Sequence, residues 1–280
     1  MGTDTNYLPH AYAMAKSLIA RVSKDVVFFI LHDGVSESDI KRFNSSLNAE
    51  AQWFDLSKHS VLNFTSLLHI SRATYLRLAL IEILPKEILR ILYLDVDMIV
   101  DGDISELWDE NLDSKSCGAV VDPGVTASTF AERWQLMGPG FYFNAGMLLI
   151  DVQQFREKLV MERAVKILIA DRGKCDLADQ DALNVALWND WKPLNPKWNF
   201  QRKHLYKEFK SQYNTDDAPK IIHFTESYKP WKNNEWHPWA FLYHKYSILS
   251  PFKPVIDKKL ANNFYSILIS LARWIIKRRI

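Results

Sequence analysis

An α/β fold with a mixed, mainly parallel sheet flanked by helices follows from three features of the sequence. Short runs rich in β-branched and aromatic residues, such as Val26–Leu31 and Ile91–Leu94, alternate with segments of helical period. Turn formers such as Asp33-Gly34 and Pro85 separate them. The 280 residues, 48% apolar and 24% charged, suffice for the core of one large domain. Strands that alternate with helices favour a parallel sheet covered on both faces.

The elements are expected in this order. Ala11–Val22 reads as a helix after Pro9, and Val26–Leu31 as a buried strand. Ser36–Leu47 reads as a helix, with Ser36 and Asp39 spaced as in a capping box. Ala51–Leu56 is a short strand, and Ser71–Leu84 a helix stopped by Pro85. Strands follow at Ile91–Asp97, Cys117–Val121 and Phe141–Ile150, then a helix over Val152–Ala170. Ala182–Asn189 is helical with Asp179 placed to cap it, and Lys220–Phe224 is the last strand. One boundary, near Pro251–Pro254, divides a main domain over 1–250 from a tail over 251–280.

Composition narrows the function. A net charge of +2 gives no general attraction for nucleic acid. Cys117 and Cys175 lie outside any Cys-x-x-Cys spacing, so neither a disulfide framework nor a zinc site is expected, and a reducing cytoplasm fits. The N-terminus does not read as a signal peptide, and no uncharged apolar run has the length of a membrane span.

The stretch Ile91-Leu92-Tyr93-Leu94-Asp95-Val96-Asp97 is the most informative. On an extended chain, residues i and i+2 point to one side, so Asp95 and Asp97 would stand together at the end of a buried strand. Two carboxylates held that close favour a cation between them, and their oxygens suit Mg²⁺ or Mn²⁺. A pair of solvated acids in a turn is the other reading. Asp122, Asn144 and His223 also fall near the ends of expected strands, the rim where α/β sheets bind ligands. Asp101 and Asp103 form a second Asp-x-Asp and read as solvated turn residues.

Six segments in order carry a resemblance: Thr3–Tyr7, His69–Leu78, Leu92–Asp97, Phe143–Ile150, Asp179-Gln180-Asp181, and His223-Phe224 with Lys229-Pro230-Trp231. The chain resembles glycosyltransferase family 8, the retaining group that includes lipooligosaccharide galactosyl- and glucosyltransferases. The resemblance implies a GT-A-type (Rossmann-like) fold and a UDP-sugar donor, UDP-glucose or UDP-galactose. It implies Mn²⁺, with Mg²⁺ as the substitute, held by Asp95, Asp97 and His223. It places Asp4 and Asn6 at uracil and ribose, His69 and Lys229 at the diphosphate, and Arg77 and Val96 at the donor. Asp122, Asn144, Asp179 and Gln180 would line the transferred hexose, with Gln180 nearest the reacting carbon and Asp179 beside it as the catalytic pair. A neutral amide is a poor nucleophile, so a front-face transfer governed by positioning is expected.

Each residue also has a plainer reading: an Asx turn for Asp4 and Asn6, a capping histidine for His69, a helix-face ion pair for Arg77, an exposed lysine for Lys229, and a packed histidine for His223. Two departures from the family pattern stand out. Only Met1-Gly2 precede Thr3, so the family's first strand is expected to be missing or truncated. Glu226 stands where the family often has glycine, near the diphosphate.

From Lys258 onward six bases face no acid, and Leu260, Phe264, Ile267, Leu268, Leu271 and Ile275 recur at helical spacing. A C-terminal amphipathic helix lying on an anionic membrane is expected, with a helix docked on the domain as the other reading. The expected protein is thus a cytoplasmic hexosyltransferase, peripheral on the inner membrane, acting on a saccharide or glycolipid acceptor such as a lipopolysaccharide core. A sugar-nucleotide-binding protein with little activity is one alternative. A haloacid-dehalogenase-type phosphatase, whose opening Asp-x-Asp the 94–99 stretch faintly resembles, is another.

Overall fold

The computed structural model describes residues 1–63, 72–206, 218–225, 229–232, 237–252 and Ala272. β1 (Gly2–Asp4) leads to α1 (Leu8–Ile19). Proline fits the first turn of a helix because its missing N–H would be unpaired there anyway, so α1 starts before Pro9 and not after it. β2 (Val27–Asp33), α2 (Glu37–Leu47) and β3 (Glu50–Asp55) follow. Ser36 Oγ caps α2 by accepting from the Asp39 N–H at 3.2 Å.

The segment expected as one helix up to Pro85 is a 3₁₀ helix over Arg72–Ala79 that runs into α3 (Leu80–Ile83). β4 (Arg90–Leu94) stops before the two aspartates, and β5 (Met98–Val100) starts after them. Asp95–Asp97 is therefore a turn and not the end of a strand. The Asp95 N–H still reaches Gly146 O at 2.8 Å, while Asp97 O accepts from Phe224 N at 3.0 Å. The chain changes sheets between the two carboxylates.

Next come α4 (Ser105–Trp108), β6 (Cys117–Val121), α5 (Ala127–Trp134) and β7 (Phe143–Asp151). The expected 152–170 helix is two, α6 (Val152–Glu157) and α7 (Val160–Ala170), broken at Leu159, whose φ is 51°. α8 (Asp179–Ala186), β8 (Trp191–Pro193), β9 (Phe200–Gln201), β10 (Ile221–His223) and α9 (Ala240–Ser247) complete the described elements.

Three sheets form, with strand orders β1-β2-β3, β4-β7-β6-β8 and β5-β10-β9. The first is parallel, whereas β7 pairs antiparallel with both β4 and β6. β6–β8 and β9–β10 are again parallel and β5–β10 antiparallel, so among the described residues the sheets are mixed. β7 is buried from Phe143 to Ile150. Leu148 and Ile150 face one apolar cluster, Met147 and Leu149 the other, so β7 carries the core on both faces.

β1 has three residues and pairs with the far half of β2 at Gly2↔Leu31, on the edge of that sheet among the described residues. Residues of β2 and β4 border an apolar cavity of about 440 Å³ beyond Met1. The Met1 ammonium donates to Phe29 O at 3.0 Å, and burial pulls its pKa down to about 5.

Asp101 corrects another expectation: it is 6% exposed and accepts from Arg21 Nη2 at 2.6 Å. Both cysteines are buried and free. Apart from Ala272, the tail from 253 lies outside the described residues, as do the expected amphipathic helix, His69 and Glu226. Among the described residues no helix is long and apolar enough to cross a membrane.

Antiparallel β7 starts where β4 and β6 end, so the rim gathers Asp95, Asp122 and Asn144, with Gln201 and His223 at the ends of β9 and β10. Asn184 ties α8 to this rim. Its Oδ1 accepts from the Phe143 N–H at 2.8 Å and its Nδ2 donates to Phe143 O at 2.9 Å. Asn184→Leu leaves two buried backbone groups unpaired and should lower unfolding free energy by about 2–4 kcal/mol in urea titrations. A loss under about 0.5 kcal/mol would show that this tether carries no weight.

Candidate active site

A cavity of about 410 Å³ opens at the rim, lined by Arg77, Asp95, Asp97, Asp122, Asn144, Asp179, Gln180, His223 and Lys229 among others. Nine of the expected site residues thus meet in one place, although they come from six separate segments.

At one end Asp95, Asp97 and His223 each offer a ligand atom, all within 4.8 Å of one another. His223 Nε2 lies 3.2 Å from Asp97 Oδ1. Two carboxylates and an imidazole suit a divalent ion such as Mn²⁺ and leave coordination positions for oxygens of a ligand. Gly146 makes room for this arrangement: a Cβ there would sit 2.3 Å from His223 Cε1. The donor set and this cradle fit a metal ion.

Two cations hold the carboxylates in place. Lys229 Nζ donates to Asp97 Oδ2 at 2.6 Å and to Phe224 O. Burial pushes the Asp97 carboxyl upward, but Lys229 and His223 outweigh it and hold it well below the usual range. The guanidinium of Arg77, 5% exposed, donates to Asp95 Oδ1 at 2.9 Å and to Ala145 O, and lies 2.8 Å from Asp179 Oδ2. Burial disfavours its charge, yet Asp179 and Asp95 raise its pKa further. Tyr93 stacks beneath it at 4.9 Å and donates to Asp95 Oδ1 at 3.0 Å.

Asp179 is the first residue of α8, one position past its N-cap Ala178, and its carboxylate lies against Arg77. Burial pushes its pKa up to about 6, against the pull of Arg77.

At the other end Gln180 is fixed on every side. Its Oε1 accepts from Ala145 N at 3.0 Å and Asn144 Nδ2 at 3.2 Å. Its Nε2 donates to Asp122 Oδ2 at 3.1 Å and to the Tyr142 hydroxyl at 3.2 Å. All four hydrogen-bonding positions of the amide are taken by the protein. Asp122 also accepts from Asn144 Nδ2 at 3.1 Å and Gly124 N at 2.8 Å.

Other expected residues are placed elsewhere. Asp4 Oδ1 accepts from Tyr7 N at 2.9 Å, an Asx turn, and Asn6 is exposed. Neither lines the cavity, and Val96 packs into an apolar cluster. Sequence reasoning did not single out Tyr142, Asn199, Gln201 or Lys203 by position. Gln201 and Lys203 line the cavity, and Tyr142 and Asn199 brace its residues. The isolated polar residues in Trp198-Asn199-Phe200-Gln201, set between buried aromatics, were the available signal.

Comparisons with known proteins give the family and the fold. The family described as "Glycosyl transferase family 8" matches residues 1–235. General stress protein A of Bacillus subtilis is 29% identical over 259 residues, 87% of this chain and 90% of that protein. Lipopolysaccharide 1,3-galactosyltransferase of Salmonella typhimurium is 27% identical over 249 residues, 85% of this chain and 72% of that protein. The solved structure of galactosyltransferase LgtC in complex with donor and acceptor sugar analogs superposes with a TM-score of 0.81 at 23% identity, covering 93% of this chain and 97% of that one.

Asp179 sets a pH signature. The unfolded chain gives up this proton near the ordinary 3.8 and the folded chain near 6, so the folded state holds the extra proton between those values. Stability from this group therefore falls as pH rises from about 4 to about 6. Urea unfolding in chelator-treated buffer should show that Asp179→Asn flattens the decline across that window. An unchanged pH profile in the variant would refute the assignment.

Proposed function

This chain belongs to glycosyl transferase family 8 and has a GT-A-type fold, and from that premise we propose that it transfers glucose or galactose from a UDP-sugar to a saccharide acceptor with retention of configuration. The enzyme class is a glycosyltransferase, which sets aside the phosphatase reading of Asp95-Val96-Asp97. The carrying observation is one cavity with an Asp-Asp-His cluster at one end and a hydrogen-bonded Asp122–Asn144–Gln180 group at the other. The charge distribution of a nucleotide sugar matches that polarity.

In this reading Asp95, Asp97 and His223 would hold Mn²⁺, which when bound would supply positive charge opposite a diphosphate. Lys229 adds a further cation on the same side. Asp122 and Asn144 orient the hexose hydroxyls. Gln180, immobilised by its four bonds, shapes the face where the acceptor hydroxyl arrives. Such a site works by positioning and charge stabilisation and needs no protein nucleophile. Asp4, Asn6 and His69 are kept as contacts of the nucleoside and diphosphate, on the resemblance alone.

The acceptor is proposed to be a lipid-linked saccharide of the lipopolysaccharide core type. Two curated relatives, lipopolysaccharide 1,3-galactosyltransferase and lipopolysaccharide 1,2-glucosyltransferase, support this by name. The basic, apolar-striped sequence 258–280 supports it, since a helix of that pattern would lie on the cytoplasmic face of an anionic membrane.

UDP release from a panel of UDP-sugars tests the reaction. One hexose donor should give turnover that chelator abolishes and that Asp97→Asn lowers by about 10²-fold or more. Donor binding without turnover, in the folded protein with acceptor present, would favour a binding protein. Flotation with anionic vesicles tests the tail: removal of residues 258–280 should abolish co-flotation, and unchanged co-flotation would refute the membrane contact.

A further inference from the structure

Asn199 is completely buried on the turn between the Pro196–Trp198 3₁₀ segment and β9, and it lies outside the cavity lining. It sits between two residues of the site. Its Nδ2 donates to Asn144 Oδ1 at 2.9 Å, and its Oδ1 lies 2.9 Å from His223 Nδ1. Amide and imidazole orientations are ambiguous in isolation. Here the network decides them.

The decision starts from groups that cannot be exchanged. The Gly146 backbone N–H can only donate, and it points at Asn144 at 3.1 Å, so that end of the amide is the oxygen. Asp122 Oδ2, an acceptor, lies 3.1 Å from the other end, which is therefore the NH₂. With Asn144 Oδ1 fixed as an acceptor, Asn199 must turn its own NH₂ toward it. The Asn199 oxygen then faces His223, so Nδ1 carries the hydrogen. Nε2 then faces Asp97 Oδ1, 3.2 Å away. With a proton on Nε2 the ring donates to that carboxylate; without it, the Nε2 lone pair and the carboxylate face a shared position that a metal ion fills.

We propose that Asn199 is a positioning residue that fixes His223 in the Nδ1–H tautomer and so presents Nε2 as a ready metal ligand. The inference rests on the metal reading given above and adds to it a relay: a backbone N–H in β7 selects the tautomer of a histidine on β10 through two asparagines. The same relay couples Asn144, on the hexose side, to His223, on the diphosphate side. Outer partners of ligating histidines are worth about 10–100-fold in metal affinity.

Long-range ¹H–¹⁵N spectra of metal-free protein, assigned by loss of the signal in His223→Gln, read the tautomer directly. Mn²⁺ affinity is measured in parallel by electron paramagnetic resonance without donor. Wild type should show the Nδ1–H pattern. Asn199→Leu, which offers no acceptor, should lose that pattern and weaken Mn²⁺ binding about 10–100-fold. Asn199→Asp restores an acceptor for Nδ1–H but not the donor to Asn144, and should keep both the pattern and the affinity. An Nε2–H pattern in wild type would overturn the proposal without any variant. So would a folded Asn199→Leu protein that binds Mn²⁺ within twofold of wild type. If wild type binds no Mn²⁺, the metal reading fails, while the tautomer spectrum still decides the role of Asn199.

Discussion

Arg77 and Lys229 neutralise a set of carboxylates that would otherwise drive the rim apart. Asp95, Asp97, Asp122 and Asp179 all line one cavity. Two unit charges 4 Å apart repel by about 4 kcal/mol at an effective dielectric constant of 20. Arg77 touches Asp95, Asp179 and the β7 carbonyl of Ala145 at once, and Lys229 ties Asp97 to the chain beyond β10. Asp122 is handled differently, by hydrogen bonds from Gln180, Asn144 and Gly124. His223 Nε2 stands 3.2 Å from the remaining Asp97 oxygen, a position where a proton or a metal ion completes the balance.

The fold serves that balance by bringing strand ends together. β7 runs against β4 and β6, so its first residues reach the rim where those strands finish. The turn Asp95–Asp97 bridges two sheets, which fixes the two carboxylates from opposite sides. α8 is held to β7 through Asn184, and that contact sets the height of Asp179 and Gln180 above the rim. Displacing any of these elements would separate a charge from its partner, so packing and site geometry are one problem.

Much of this was legible in the sequence. The Cys117–Val121 strand matches to the residue because an apolar run ends at Asp122, whose side chain has work outside the sheet. The convergence of Asp95, Asp97, Asp122, Asn144, Gln180, His223 and Lys229 followed from ordered motifs, and they meet in the cavity. What was not legible depends on tertiary partners. The Ile91–Asp97 run looks like one strand, but the chain leaves its sheet at Asp95 because Gly146 O and Phe224 N bind the turn from different sheets. Asp101 looks solvated until Arg21, eighty positions away, covers it. Asn199 shows locally only as a polar residue between aromatics, and its role depends on partners 55 and 24 positions distant. Asp179 suits a helix cap by type, yet the buried charge of Arg77 claims it.

The account centres on a cavity whose negative end accepts a diphosphate only with a cation present. Calorimetric titration of UDP into metal-free protein, repeated with saturating Mn²⁺, tests this most directly. Binding that appears with Mn²⁺ and vanishes without it is the predicted result. UDP that binds equally well in both conditions, or in neither, would contradict the proposed role of Asp95, Asp97 and His223.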